Sequence, residues 1–93
     1  MFTLVKYFKP NCTPCKLMEK VIQDFIAKED ENIELKNINV NELSTEEYKA
    51  AKLKTVPTMK LFVEKELIGI HVGSAQLSQF EKWFNDTVVH YLS

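Results

Sequence analysis

The chain has 93 residues, of which 45% are hydrophobic and 27% are charged, a composition typical of one small globular domain rather than of a disordered segment. Its formal net charge is −1, from 12 Lys+Arg against 13 Asp+Glu, which argues against a cationic surface for nucleic acid. No apolar run approaches membrane-spanning length, and the first residues lack the pattern of a secretory signal. We therefore expect a cytoplasmic protein that binds no nucleic acid and no membrane.

The first part of the chain predicts a strand, a helix and a second strand. Phe2–Phe8 is rich in β-branched and aromatic residues, which is typical of a strand. Thr13–Lys28 predicts an amphipathic helix, because its apolar residues recur at the spacing of one helix face. Those residues are Met18, Val21, Ile22, Phe25 and Ile26. Residues 29–32 predict a polar loop, and the alternation in Ile33–Ile38 predicts a short strand.

A short second helix is predicted near the middle of the chain. Ser44 and Glu47 have the spacing of a capping box, in which Ser44 is the N-cap and Glu47 reaches back to it. The helix is predicted to run to about Leu53, and Pro57 prevents any continuation.

The last part of the chain predicts a hairpin and a third helix. Thr58–Val63 and Glu66–Val72 are predicted to pair as antiparallel strands. Residues 64–65 between them lack the Gly or Asn that two-residue hairpins favour, so we expect a looser turn. Gln76–Leu92 predicts the final helix, with one apolar face.

The order β-α-β-α-β-β-α predicts the architecture. A β-α-β unit implies a right-handed crossover and a parallel strand pair, to which the hairpin adds antiparallel strands. We therefore expect an α/β fold in which residues 1–93 form one domain, with a four-stranded mixed sheet flanked by helices.

The sequence Cys12-Thr13-Pro14-Cys15 contains the only two cysteines and lies between the first predicted strand and helix. A disulfide that closes so short a gap adds little stability, which argues against a structural role. A helix N-terminus lowers the pKa of a thiol, so Cys12 is predicted to be the nucleophile and Cys15 the resolving cysteine. Pro14 stiffens the turn between them. Such a dithiol needs no bound cofactor.

The alternative for a cysteine pair at this spacing is half of a zinc site. Zinc would need two more ligands, and His71 and His90 are the only histidines. Neither has ligand-type spacing, so we expect no metal and interpret both as surface or half-buried residues.

Two motifs resemble the thioredoxin superfamily over nearly the whole length. Residues 12–16 resemble its active-site sequence, and residues 55–58 resemble its cis-proline segment. The resemblance implies a thioredoxin-like fold, a cis bond between Val56 and Pro57, and Pro57 packed against the disulfide. It also implies that the Val56 backbone pairs with a substrate peptide, beside Thr13 and Pro14 of the active-site sequence. Gly73 resembles the glycine that lets a substrate backbone approach.

The residues around the two motifs resemble two different subfamilies, the glutaredoxins and the thioredoxins. Lys9, three residues before Cys12, resembles a glutaredoxin, and the chain has the size of one. However, residues 72–76 lack the double glycine and acidic residues that bind glutathione in that family, and Asn11 replaces the thioredoxin tryptophan. The chain therefore resembles a small thioredoxin of glutaredoxin-like size.

The resemblance also implies an activity and partners. A monomeric thiol–disulfide oxidoreductase would reduce protein disulfides and be recharged by a flavoprotein of the thioredoxin-reductase type. Family analogy suggests ribonucleotide reductase as an acceptor. The alternatives are a glutaredoxin that uses glutathione, and a binding module that kept the fold without the activity.

Four lysines are expected near the cysteines if the fold is right. Lys9, Lys16 and Lys54 would form a cationic rim that tunes the pKa of Cys12 and attracts acidic substrates. The alternative is that these three are ordinary solvated surface residues. Lys6 stands where thioredoxins keep a buried aspartate, and a lysine facing inward from a central strand is costly. We hypothesise that its amine approaches Cys15. The alternative is that Lys6 points to the opposite face and reaches water.

Overall fold

The computed structural model describes residues 1–29 and 32–93. Residues 30 and 31, part of the predicted polar loop, lie outside the described residues. The elements in chain order are β1 Phe2–Phe8, α1 Thr13–Glu29, β2 Ile33–Asn39, a 3₁₀ turn Val40–Glu42, α2 Thr45–Ala51, β3 Thr58–Val63, β4 Glu66–Val72 and α3 Leu77–Leu92. The predicted order is confirmed. None of the helices in this described part has both the length and the hydropathy that a membrane-spanning helix needs.

The four strands form one mixed sheet in the order β2-β1-β3-β4. Strand β1 is parallel to β2 and antiparallel to β3, and β3 is antiparallel to β4. The predicted four-stranded mixed sheet is therefore confirmed. Because β1 is an inner strand, the loop that follows it leaves the sheet between β2 and β3.

Apolar side chains pack on both faces of the sheet. One face packs against α1 and α3, and its buried residues are Leu4, Met18, Ile22, Phe25, Met59, Leu61, Phe80 and Phe84. The other face packs against α2 and its flanking segments, and its buried residues are Val5, Tyr7, Val40 and Leu53. The alternation along β1 thus sends Leu4 towards α1 and Val5 towards α2.

Helix α2 begins as predicted and ends earlier than predicted. Ser44 Oγ accepts a hydrogen bond from Glu47 N at 3.0 Å, and Glu47 Oε1 accepts one from Ser44 N at 2.8 Å. This capping box satisfies two backbone donors at the helix start. The predicted end near Leu53 is wrong, since the helix stops at Ala51 and Lys52 takes a left-handed conformation with φ 55°.

The turn between β3 and β4 is tight, so the expectation of a looser turn is wrong. Val63 pairs with Glu66, which leaves two residues in the turn, and Glu64 adopts the left-handed φ of 54° that Gly or Asn would take more easily. The irregularity lies further along the hairpin. Leu61 pairs with Gly69 and Phe62 with Leu67, so β4 contains one extra residue, a β-bulge.

Candidate active site

Cys12 is the N-cap residue of α1. Its carbonyl oxygen accepts the hydrogen bond from Lys16 N at 3.1 Å, the first bond of the helix. Its Sγ accepts a hydrogen bond from Cys15 N at 3.1 Å. A sulfur at this position faces free N–H groups and the positive end of the helix dipole, which favour a thiolate over a thiol.

Cys12 and Cys15 form a disulfide, with their Cα atoms 5.2 Å apart. Cys12 is half-buried, whereas Cys15 is 3% exposed. Only the sulfur of Cys12 is therefore open to a second molecule. This asymmetry suits a nucleophile at Cys12 and a resolving thiol at Cys15.

Thr13 and Pro14 are both exposed in the first turn of α1. Pro14 lacks an N–H, but the first-turn N–H groups have no acceptor within the helix, so the proline costs no hydrogen bond there. The two residues form the surface between the cysteines, which any partner of Cys12 must contact.

Pro57 and Gly73 form the second part of the site. The Val56–Pro57 peptide bond is cis, as the resemblance implied, and Pro57 is buried while Val56 is half-buried. Gly73 N donates a hydrogen bond to Pro57 O at 2.8 Å. Gly73 has φ 88°, and a Cβ there would meet no atom within 4 Å, so the glycine serves the backbone conformation and leaves open space above it.

Two contacts bring the Pro57 and Gly73 segments to the cysteine helix. Strand β1 pairs with β3 so that Tyr7 lies opposite Thr58, which places the end of β1 beside Pro57. Ala75 N, two residues after Gly73, donates a hydrogen bond to Met18 Sδ at 3.2 Å. Helix α1 is thus tied to the segment that follows β4.

Lys6 is buried on the α1 face of the sheet. Its side chain shares the face of Leu4, it is 4% exposed, and its Nζ lies 5.5 Å from the centre of the Phe8 ring. Burial lowers the pKa of Lys6, and the negative charge of Glu19 partly opposes this. The alternative in which Lys6 points to the opposite face is wrong, because that face belongs to Val5 and Tyr7.

Glu19 is an exposed residue whose negative charge acts on Lys6, and the sequence motifs did not indicate it. It lines the cavity of about 340 Å³ around Lys6, together with Gln23 and Asn37. Glu19 follows Cys15 by four residues, so both lie on one face of α1. That spacing was the available signal in the sequence.

Lys9 and Lys16 are both exposed, unlike Lys6. Lys9 follows the end of β1, and Lys16 lies in the first turn of α1 directly after Cys15. Lys54, which follows α2, is also exposed, so the four lysines expected near the cysteines separate into three surface residues and one buried residue.

The zinc alternative gains no support from the described residues. Within residues 1–29 and 32–93, no three His, Cys, Asp or Glu side chains come together as metal ligands. His71 packs edge-on against Phe80 and Trp83, with ring centres 5.6 and 5.4 Å away. The interpretation of both histidines as surface or half-buried residues is confirmed, since His71 is half-buried and His90 is exposed.

Comparison with known proteins agrees with this geometry. The family model for thioredoxin matches residues 1–86. A thioredoxin of Buchnera aphidicola subsp. Baizongia pistaciae is 31% identical over 85 residues, which cover 88% of this chain and 74% of that protein. A thioredoxin of Rickettsia bellii is 22% identical, covering 91% of this chain and 80% of that protein.

The match and the Cys12–Cys15 pair fit a thiol–disulfide oxidoreductase. The resemblance inferred from the two motifs is confirmed, since the matched region includes the cysteines, Pro57 and Gly73. The chain belongs to the thioredoxin family.

Proposed function

We propose that this protein reduces disulfide bonds in other proteins through Cys12 and Cys15. The observation that carries the proposal is the asymmetry of the pair: Cys12 is accessible and capped by the α1 N-terminus, and Cys15 is buried behind it. An accessible, stabilised thiolate attacks readily, and a buried partner thiol does not react with a second molecule.

The reaction proceeds in two exchange steps. The Cys12 thiolate attacks one sulfur of the substrate disulfide, which forms a mixed disulfide and releases the other substrate sulfur as a thiol after it takes a proton. Cys15 then loses its proton and attacks Cys12 Sγ, which releases the second substrate thiol and forms the Cys12–Cys15 disulfide. Two electrons pass from the protein dithiol to the substrate.

The substrate chain is proposed to lie across the Pro57 and Gly73 segments. The Val56 backbone would pair with an extended stretch of substrate, and Thr13 and Pro14 would contact the residues beside the attacked sulfur. The support is the open space above Gly73 and the exposure of Thr13 and Pro14.

The lysines are proposed to tune the two thiols. Lys9 and Lys16 would place positive charge near the accessible sulfur and favour acidic substrates. Lys6 would act with Glu19, which lies one helical turn after Cys15, on the proton that Cys15 must lose.

The oxidised protein is proposed to regain its electrons from a flavoprotein of the thioredoxin-reductase type in the cytoplasm, and to act as a single-domain monomer. Ribonucleotide reductase is an acceptor of the class that this chemistry serves. The relatives named as thioredoxins support this donor over glutathione. The glutaredoxin alternative is supported by the position of Lys9.

A thiol count after reduction tests the proposal. The oxidised protein is incubated with millimolar glutathione, or with a thioredoxin reductase and NADPH, and its free thiols are alkylated and counted by mass. We expect two thiols with the reductase and few with glutathione, followed by reduction of a protein disulfide such as that of insulin. Two thiols with glutathione would establish the glutaredoxin alternative instead. Formation of a disulfide without reduction of any protein would leave the binding-module alternative.

A further inference from the structure

On the face of the sheet that packs against α2, the helix does not cover strand β4. Helix α2 covers Val5 and Tyr7 of β1, whereas the side chains of β4 on that face stay exposed. Leu67, Ile70 and Val72 are 43%, 50% and 58% exposed. With the segment after α2 they line a groove of about 460 Å³, here called the α2–β4 groove. Its main residues are Lys52, Lys54, Lys60, Leu67, Ile70 and Val72.

The charge in the α2–β4 groove is of one sign. Three lysines line it, and among the described residues no carboxylate does. Lys60 Nζ donates a hydrogen bond to Ala51 O at 2.6 Å, so this charge is held at the groove wall opposite Ile70. Burial lowers the pKa of Lys60, and the positive charge of Lys52 lowers it further. An anion placed in the groove would relieve that repulsion.

Lys52 lies at the end of α2, beside the groove. Lys52 ends α2 with a φ of 55°, a position at which Gly or Asn is the favoured residue. A lysine in this conformation costs stability relative to glycine. Its side chain is among those that line the groove.

A second copy of this chain would not fit the α2–β4 groove well. A two-fold contact through this surface would bring together two patches of the same positive charge, so the lysines of the two copies would repel each other. The better complement to aliphatic side chains rimmed by lysines is a segment with aliphatic and acidic side chains.

We propose that the α2–β4 groove docks a segment of the substrate protein that carries carboxylates among aliphatic residues. This inference rests on the proposed function, because the groove adjoins the Pro57 and Gly73 segments where the disulfide would be bound. Thr58, which follows Pro57, and Val72, which precedes Gly73, both line it. The carboxylates pair with Lys52 and Lys54, and the aliphatic side chains cover Ile70 and Val72.

A binding experiment that needs no redox chemistry tests the groove. The oxidised protein is labelled at its methyl groups and titrated with a cysteine-free peptide of alternating Glu and Leu, or with its Gln-for-Glu analogue. We expect the acidic peptide to shift the methyl signals of Leu67, Ile70 and Val72, and the Gln analogue to leave them in place. Absence of these shifts at low ionic strength would overturn the proposal.

A kinetic experiment uses two disulfide peptides that differ only in Glu or Gln beside the disulfide. We expect the ratio of their kcat/KM values to favour the acidic peptide by about threefold to tenfold at low salt and to approach one in about 0.5 M NaCl. The double variant Lys52→Asn/Lys54→Gln should lower the ratio towards one. The matched control is Lys36→Gln/Lys65→Gln, which removes two exposed lysines that line a different surface cavity.

The two experiments separate the groove from the proposed function. Reduction of both peptides at equal rates would overturn the proposal that the groove docks acidic segments, and it would leave the proposed oxidoreductase function intact. Failure to reduce either peptide would refute the proposed function. The methyl shifts would still show whether the groove binds the acidic peptide. An equal loss of the ratio in the control double variant would also overturn the proposal, since it would show an effect of net charge alone.

Discussion

The backbone N–H of Cys15 donates a hydrogen bond to the sulfur of Cys12, 3.1 Å away. Cys12, the proposed nucleophile, is thus the N-cap of α1, and Cys15, the proposed resolving residue, donates the N–H that the cap accepts. A serine at position 12 would keep an acceptor at the helix start but could not exchange sulfur. The Cys12→Ser substitution can therefore remove the sulfur chemistry and keep the helix cap.

The first prediction concerns the two cysteines. Cys12→Ser should abolish disulfide reduction, because the accessible nucleophile is lost while the cap is kept. Cys15→Ser should accumulate a mixed disulfide between Cys12 and the substrate, since nothing resolves it. Mass analysis of the protein after incubation with substrate checks both results. A stable mixed disulfide in Cys12→Ser would contradict the assigned order of attack.

The second prediction concerns Lys6. Lys6→Met should raise the free energy of unfolding at pH 7 by about 1 kcal/mol, because it removes the cost of burying a charge. It should also change the pH dependence of the step in which Cys15 resolves the mixed disulfide, because the amine is proposed to act on the proton of Cys15. The measurements are urea unfolding and the pH-dependent rate at which substrate is released from the mixed disulfide. Lys36→Met, at an exposed position of β2, is the control. An unchanged pH dependence of substrate release would exclude Lys6 from a role in the reaction of Cys15.

The third prediction concerns His71 and pH. Burial lowers its pKa below the usual 6.5, and a hydrogen bond with the Gly73 backbone partly opposes this. The folded state thus binds fewer protons than the unfolded state below pH 6.5, so stability is present above that pH and is lost as the pH falls towards the folded pKa. Unfolding titrations from pH 8 to pH 5 should show this loss, and His71→Phe should remove it. His90→Phe, at an exposed histidine, should retain it.

The fourth prediction concerns Gly69. A Cβ at this position would lie 2.6 Å from Thr87 Cγ2 and 3.4 Å from the Trp83 ring, so Gly69→Ala forces β4 and α3 apart. We expect a loss of about 1–3 kcal/mol in the free energy of unfolding. Thr87→Ala removes the clashing atoms, so the double variant should recover part of the loss. Simple addition of the two single effects would refute the steric explanation.

The fifth prediction concerns Lys52. Lys52→Gly should raise the free energy of unfolding by up to about 1 kcal/mol, because glycine adopts the left-handed C-cap conformation without the Cβ penalty. The same variant should weaken the binding of the acidic peptide. Lys49→Gly, within α2, should instead destabilise the protein by about 1 kcal/mol. Stabilisation with unchanged peptide binding would show that Lys52 plays no part in docking.

The sequence predicted the strands better than the helix ends and turns. Strands β1, β3 and β4 have the predicted bounds, because their apolar and β-branched residues are interrupted sharply by Pro, charged or polar residues. The end of α2 and the turn after β3 were mispredicted for a common reason. Lys52 and Glu64 both adopt left-handed conformations that their residue types disfavour, so no local preference marks them.

Some residues of the candidate site can be located from the sequence, and others cannot. Cys12, Cys15 and Pro57 belong to short motifs whose residues are close in sequence, so the amino-acid sequence alone locates them. The negative charge that acts on Lys6 is that of Glu19, on a different element, and the α2–β4 groove depends on how little of β4 a seven-residue helix covers. Both follow from packing between elements, which spacing along the chain does not determine.

The bulge in β4 also affects how these molecules behave in concentrated solution. The sheet ends in β2 and β4, and an edge strand with exposed aliphatic side chains invites another chain to extend the sheet. The extra residue at Ile68 breaks the regular row of backbone donors and acceptors along β4. The bulge therefore disfavours the addition of a strand from another chain at β4, the edge whose aliphatic side chains would otherwise promote it. Such strand addition is the first step towards fibrils.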